Sequence, residues 1–315
     1  MSESNNIQNL RTELDKALEL INQKNFIQSN EQNKKLSIPT MASDSLLLRC
    51  QKIVEQTEAL KPKLRIVRHM ACSGGSMISK CIDAMPNVYL MSEVHPLARK
   101  HLGDKGHKFT PSDIISCAYY ANIPNINNLS EEIFASSIKV TINALDNYGA
   151  HLVLREHSHT DFCVGNRALN SNAVTRLLSK EYDVLSLVTL RNPIDSYLSL
   201  KKNGWVQFEP ANFDEYCRRV LLFLEQNKKS KIIYYEKFVT SPQKFMKTIC
   251  KTLKIPYIDN FQDYFDLRKI TGDSGRSSGE IETKPRRTID DKTMLEIENS
   301  KFYRQIVNKH KIFKT

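Results

Sequence analysis

Glycine is scarce in this 315-residue chain, ten residues in all, about half of the usual ~7% share. A collagen-like repeat or a flexible low-complexity chain is excluded by that count alone. Tryptophan occurs once, at Trp205, and aromatic residues make up 8% of the chain, which argues against a large flat apolar pocket. No apolar run approaches the ~18–20 residues needed to span a bilayer, so no transmembrane helix is expected. The opening MSESNNIQNLRTELDK has no basic region leading into an apolar one, and secretion is not expected either. The seven cysteines are an odd number without a Cys-x-x-Cys pair. They read as reduced thiols of a cytoplasmic protein rather than as a disulfide or zinc framework. With no H-E-x-x-H and no tight His/Cys/Asp cluster, no metal site is expected.

Positive charge is what the chain has in excess. Lys and Arg number 46 against 35 Asp and Glu, a formal charge of +11. Residues 1–45 hold five basic and six acidic side chains, so the excess lies beyond them. Such a field attracts anions in general: nucleic acid, acidic lipid or phosphorylated small molecules. A solvated lysine-rich surface accounts for most of it, so the charge does not choose the partner.

Two regions differ in texture. Residues 1–45 form a polar extension rich in Asn, Gln and Ser, in which Ile7, Leu10, Leu14, Ala17 and Ile21 repeat at the spacing of a short amphipathic helix. Such a helix docks on its own domain or makes a protein contact, and Asn25–Ser37 reads as a linker. Residues 46–315 form the second region. There the pattern predicts a helix over 44–60 and strands at 64–69, 88–92, 151–156, 184–190 and 231–235. Helices are expected over 76–85, 111–121, 130–147 (opened by Ser130, with Glu132 behind it), 193–202, 212–227 and 241–253. Short, nearly continuous apolar strands alternating with helices indicate an α/β fold, three α/β/α layers around a central parallel sheet. Ligands in such folds bind beyond the carboxyl ends of the strands.

The few glycines cluster there. Gly74 and Gly75 lie in the loop MACSGG between the first strand and its helix, and Gly272, Gly275 and Gly279 lie together near the C-terminus. A strand–loop–helix with paired glycines can cradle a phosphate on backbone N–H groups and a helix N-terminus. It can equally be a tight turn. The loop lacks the Lys of a nucleoside-triphosphatase loop. The strand VLSLVTL ends in Arg191 rather than in an Asp that would hold Mg²⁺, which weakens kinase and GTPase readings. Arg191-Asn192-Pro193 places a planar cation at a strand end, with Pro193 suited to a first helical turn.

Together these segments resemble the sulfotransferases that use 3′-phosphoadenosine 5′-phosphosulfate (PAPS), over roughly residues 62–290. The resemblance implies that Cys72, Ser73, Gly74, Gly75 and Ser76 bind the 5′-phosphosulfate. It implies that Arg191 and Ser199, eight residues apart, bind the 3′-phosphate. KIIYYEKFVTSPQKFMKTICKTLKIPY is similar to the family's adenine-side segment, with Tyr235 near the base. TGDSGRSSGEIETKPRR is similar to its C-terminal phosphate loop, with Arg276, and Arg286 or Arg287, as further contacts.

The resemblance further implies sulfuryl transfer to an acceptor hydroxyl without a metal. A glycan or glycolipid hydroxyl is the expected acceptor, met by a wall built largely from 94–130. Two residues compete for the general base. Glu93 stands where tyrosylprotein and related bacterial sulfotransferases carry a catalytic Glu. His157 stands where cytosolic and Golgi-type relatives carry a His, with Arg155 matching a nearby Lys and His159 as a neighbour. The unperturbed histidine pKa of ~6.5 suits a base without tuning. One departure is plain: the family's Lys or Arg before Ser-Gly is Cys72 here, and Arg155, Arg68 and His69 are the candidates to replace it. That departure keeps a catalytically impaired nucleotide-binding module in view. The charge keeps a nucleic-acid-binding protein in view, though no nucleic-acid module is recognisable.

Overall fold

The computed structural model describes residues 12, 15–16, 61–98, 112–166, 168, 172–272, 280–283 and 285–313. The chain divides into two compact units, Met1–Lys61 and Pro62–Thr315. In the first unit the amphipathic seam from Ile7 to Ile21 and the helix expected over 44–60 lie outside the described residues, apart from Thr12, Asp15 and Lys16.

The second unit is built on five parallel strands: β1 (Lys63–His69), β2 (Val88–Val94), β3 (His151–Glu156), β5 (Asp183–Leu190) and β7 (Lys231–Tyr234), in the order β2-β3-β1-β5-β7. A parallel pair, β4 (Val164–Gly165) and β6 (Gln207–Phe208), forms a separate two-stranded sheet. Side-chain alternation along β1 sorts the layers. Val67, with Val153 of β3, Leu187 of β5 and Ile233 of β7, packs against α1 (Gly75–Asp83) and the later helix over Pro242–Leu253. Leu64 and Ile66, with Leu152 and Leu154, pack on the opposite face against the helices Ile126–Asp146 and Ala173–Leu178. On that same face Val188 and Leu190 meet the helices Pro193–Lys202 and Phe213–Gln226. The result is the expected α/β/α sandwich, with the chain reversing direction across the sheet on either side of β1, where ligands of such sheets bind.

Most expected elements stand within a residue or two of their places; the short helices Ser158–Phe162 and Ala173–Leu178 and the strands β4 and β6 are additions, and some expected details differ. The helix expected to open at Ser130 begins at Ile126, after Asn125 in the left-handed region. Ser130 sits a turn inside it, its hydroxyl donating to the Ile126 carbonyl. Tyr235 does not end a strand but starts a short helix, Tyr235–Thr240. The helix near 111–121 is shorter, Ile114–Tyr120, capped by the Asp113 carboxylate accepting from Ser116 N–H. Two C-terminal helices, Asp291–Asn299 and Lys301–Lys309, were not read from the sequence. Both carry an N-cap acid or serine, Asp290 and Ser300, that was available as a signal.

Candidate active site

The loop leaving β1 is tightly wound. Cys72 and Gly74 both take positive φ, and Ser73 turns inward, its hydroxyl donating to the Met70 carbonyl at 2.8 Å. Both glycines are required by what touches them. A Cβ on Gly74 would overlap the Tyr235 ring, and one on Gly75 would overlap the His69 ring. Ser76 lies in the first turn of α1, whose leading N–H groups have no acceptor within the helix.

Alternation along β1 and β3 then decides which charges reach this loop. Arg68 and Glu156 point to the far face, paired at 2.5 Å in a buried ion pair. Glu156 also accepts from Val174 N–H at 3.0 Å, and Arg68 donates to Thr175. Arg68 is thereby committed away from the loop. His69 and Arg155 share the near face and meet directly, the Arg155 Nε–H donating to His69 Nε2 at 3.0 Å. Burial, reinforced by the Arg155 charge, pushes the His69 imidazole down to about 3, so it is neutral. Of the three candidates for the missing loop cation, Arg155 alone is a cation beside the loop.

Arg155 is fully engaged, which its five N–H donors allow. Besides His69 it donates from Nη1 to Ser92 Oγ at 2.8 Å and to the Thr271 carbonyl at 3.2 Å. From Nη2 it donates to Ser76 Oγ at 3.1 Å, and it pairs with Glu93 Oε1 at 2.7 Å. Glu93 sits at a bulge in β2, with positive φ, which turns its side chain to this point. Its other oxygen accepts from His157 Nδ1. Burial opposes the Glu93 charge, but the His157 hydrogen bond and the Arg155 guanidinium outweigh it and hold the carboxyl at about 2. Glu93 and His157, competitors in the sequence reading, are thus hydrogen-bonded partners. With Nδ1–H given to Glu93, His157 Nε2 carries the lone pair and has no hydrogen-bond partner. His159 lies aside from this pair, with Nε2 on Gln207 Oε1 at 3.2 Å.

A second cationic site flanks the other side of the loop. Arg191 follows β5, donates to the Cys72 carbonyl at 3.2 Å, and lies over the Tyr235 ring at 4.9 Å. The Tyr235 ring is therefore wedged between Gly74 and Arg191. Asn192 caps the helix that follows, accepting from Ile194 N–H, while its own N–H donates to Glu236. Ser199 is fully buried two turns along and accepts from Arg287 Nη1 at 2.5 Å. Arg286 pairs with Asp195 of the same helix at 2.9 Å. Arg276, Gly275 and Gly279 lie outside the described residues.

One pair was missed from sequence. His95, two residues beyond Glu93, accepts from Leu97 N–H at Nδ1 and therefore donates from Nε2 to Asp161, at 3.1 Å. Both side chains are nearly fully buried, 3% and 2% exposed. His95 lies just past the end of β2, and nothing in the local sequence signals the pairing.

Among the described residues no group of His, Cys, Asp or Glu is placed to hold a metal ion, and no helix is long and apolar enough to cross a membrane. No protein-family profile matches the chain, and no curated relative matches it. Solved structures do: the fold is similar to a sulfotransferase domain from the curacin biosynthetic pathway (14% identity, 80% of this chain and 99% of that one, TM-score 0.45). It is similar to the sulfotransferase domain of the Synechococcus PCC 7002 olefin synthase (14%, 81% and 97%, TM-score 0.43) and to a mouse sulfotransferase complexed with PAP (14%, 82% and 94%, TM-score 0.41).

Proposed function

We propose that the protein transfers a sulfuryl group from PAPS to an acceptor hydroxyl. The observation that carries this reading is one loop flanked by two cationic sites. Arg155 meets the loop at Ser76, and Arg191 meets it at Cys72. A nucleotide with anionic groups at both its 5′ and 3′ positions matches two such sites better than a single phosphate does. Ser76, the loop glycines and the first turn of α1 would hold the phosphosulfate, with Arg155 beside it. Arg191, Ser199 and Arg287 would hold the 3′-phosphate, and Tyr235 spaces the two. PAPS supplies the sulfuryl group and leaves as 3′,5′-adenosine bisphosphate (PAP).

The chain's own residues then divide the work. His157 Nε2 takes the acceptor proton as the new S–O bond forms. Glu93, ionised, keeps His157 in the tautomer with Nδ1–H and compensates the imidazolium that results. Arg155 faces the sulfuryl oxygens, holding the group in line with the acceptor as its bond to the departing phosphate breaks. Cys72 therefore does not imply an impaired site, because the cation the loop lacks is supplied from β3. The acceptor class stays as expected from composition, a glycan or glycolipid hydroxyl.

Adding PAP should raise the melting temperature, and Arg191→Ala should abolish most of that shift. An unchanged melting curve at saturating PAP would end the PAPS reading.

A further inference from the structure

Three features around His69 have no explanation in folding alone. The residue is 7% exposed, and its Nδ1 has no hydrogen-bond partner. Its presence forbids any side chain at position 75, because a Cβ there would overlap the ring. With Nε2 accepting from Arg155, the proton of the neutral ring sits on that unpartnered Nδ1, a buried donor left unsatisfied. An aliphatic side chain would fill the same space without that penalty, so what the imidazole adds is the acceptor at Nε2.

We propose that His69 is a positioning residue for sulfuryl recognition: by accepting the Arg155 Nε–H it fixes the guanidinium plane, which directs Nη1 and Nη2 at Ser92, Ser76 and Glu93. A guanidinium on a flexible stem otherwise loses rotamer freedom each time it binds an anion, and a fixed fork loses less. Neutrality of the imidazole is part of the design, since a protonated His69 would have no lone pair to offer and would repel Arg155. The Gly75 position follows from it, as the space the ring needs. The proposal rests on the PAPS reading and deepens it: the loop's missing cation is replaced from β3, and a residue of β1 aims the replacement.

The test compares PAPS with PAP, which differ by the sulfuryl group, by calorimetry on the full chain. His69→Met keeps the volume and loses the acceptor, whereas His69→Gln keeps an acceptor oxygen. His69→Met should weaken PAPS by about tenfold while leaving PAP affinity and the PAP-induced thermal shift unchanged. His69→Gln should recover most of the loss. Equal weakening of both nucleotides in His69→Met would reduce His69 to a packing role and overturn the proposal. Identical behaviour of the Met and Gln variants would overturn it too. Wild-type protein that bound neither nucleotide would instead remove the PAPS reading itself, and the positioning role with it.

Discussion

The same two segments of chain are joined by two carboxylate–imidazole pairs with the roles exchanged. Glu93 near the end of β2 gives the acid in Glu93–His157, His95 just beyond β2 gives the imidazole in His95–Asp161, and the residues after β3 give the complement. Chemically the pairs are alike, yet their acids move in opposite directions. Burial raises the Asp161 carboxyl, and the His95 hydrogen bond only reduces that rise. Burial pushes Glu93 the same way, but there the imidazole and the Arg155 guanidinium prevail. Exposure differs as well, with Glu93 and His157 at 17% and 12% against 2% and 3% for Asp161 and His95. The lesson is that a hydrogen-bonded acid–histidine pair does not define a reactive site by itself. A cation on the acid and an unpartnered nitrogen on the imidazole separate Glu93–His157 from His95–Asp161.

Breaking each pair in turn should expose that difference. His157→Ala should cost the largest factor, about 100- to 10,000-fold in turnover of labelled PAPS, with PAP binding retained. Glu93→Gln keeps an oxygen for the His157 N–H but loses the charge that favours the imidazolium, so its loss should be smaller. If Glu93→Gln lost more turnover than His157→Ala, the carboxylate would be the base and the assignment would reverse. His95→Ala should act on stability instead. It leaves a buried carboxyl without its donor, at a cost of about 1–3 kcal/mol, and a urea titration of the variant measures it.

How much of this was legible in the sequence depends on the distance over which each feature is set. Strands and helices are local patterns, and β3 was read at both its ends, His151 and Glu156. The helix after Arg191 was read to the residue because Asn192 and Pro193 declare its start. Ser130 misled because a cap residue inside a helix and one at its end look alike without the backbone. The choice between Arg68 and His69 was open to reading, since strand alternation puts adjacent residues on opposite faces. The reason for Gly74 and Gly75 was not, because the rings that exclude a Cβ come from β1 in one case and from residue 235 in the other. Nor was the union of Glu93 with His157, which depends on the pairing of Ser92 with Arg155 across β2 and β3. Residues 64 apart become neighbours only when strand order is known.

The finest contrast between the pairs is their response to acid, and the signs are opposite. Glu93 has an ordinary value of 4.5 and a folded value of about 2. The unfolded chain therefore binds the proton first, and the stability Glu93 contributes is present above 4.5 and lost as pH falls through 2. Asp161 is raised from 3.8, so the folded chain binds the proton first. Its contribution is present below 3.8 and lost as pH rises through the raised folded value. Glu93→Gln should therefore flatten the acid limb of a melting-temperature profile, between about pH 4.5 and 2. Asp161→Asn should remove a small fall on the other side, with turnover within about threefold of wild type, because an amide oxygen accepts the same His95 N–H. Profiles that shifted in the same direction for both variants would mean that Arg155 does not separate the two pairs, and the distinction drawn from its guanidinium would fail.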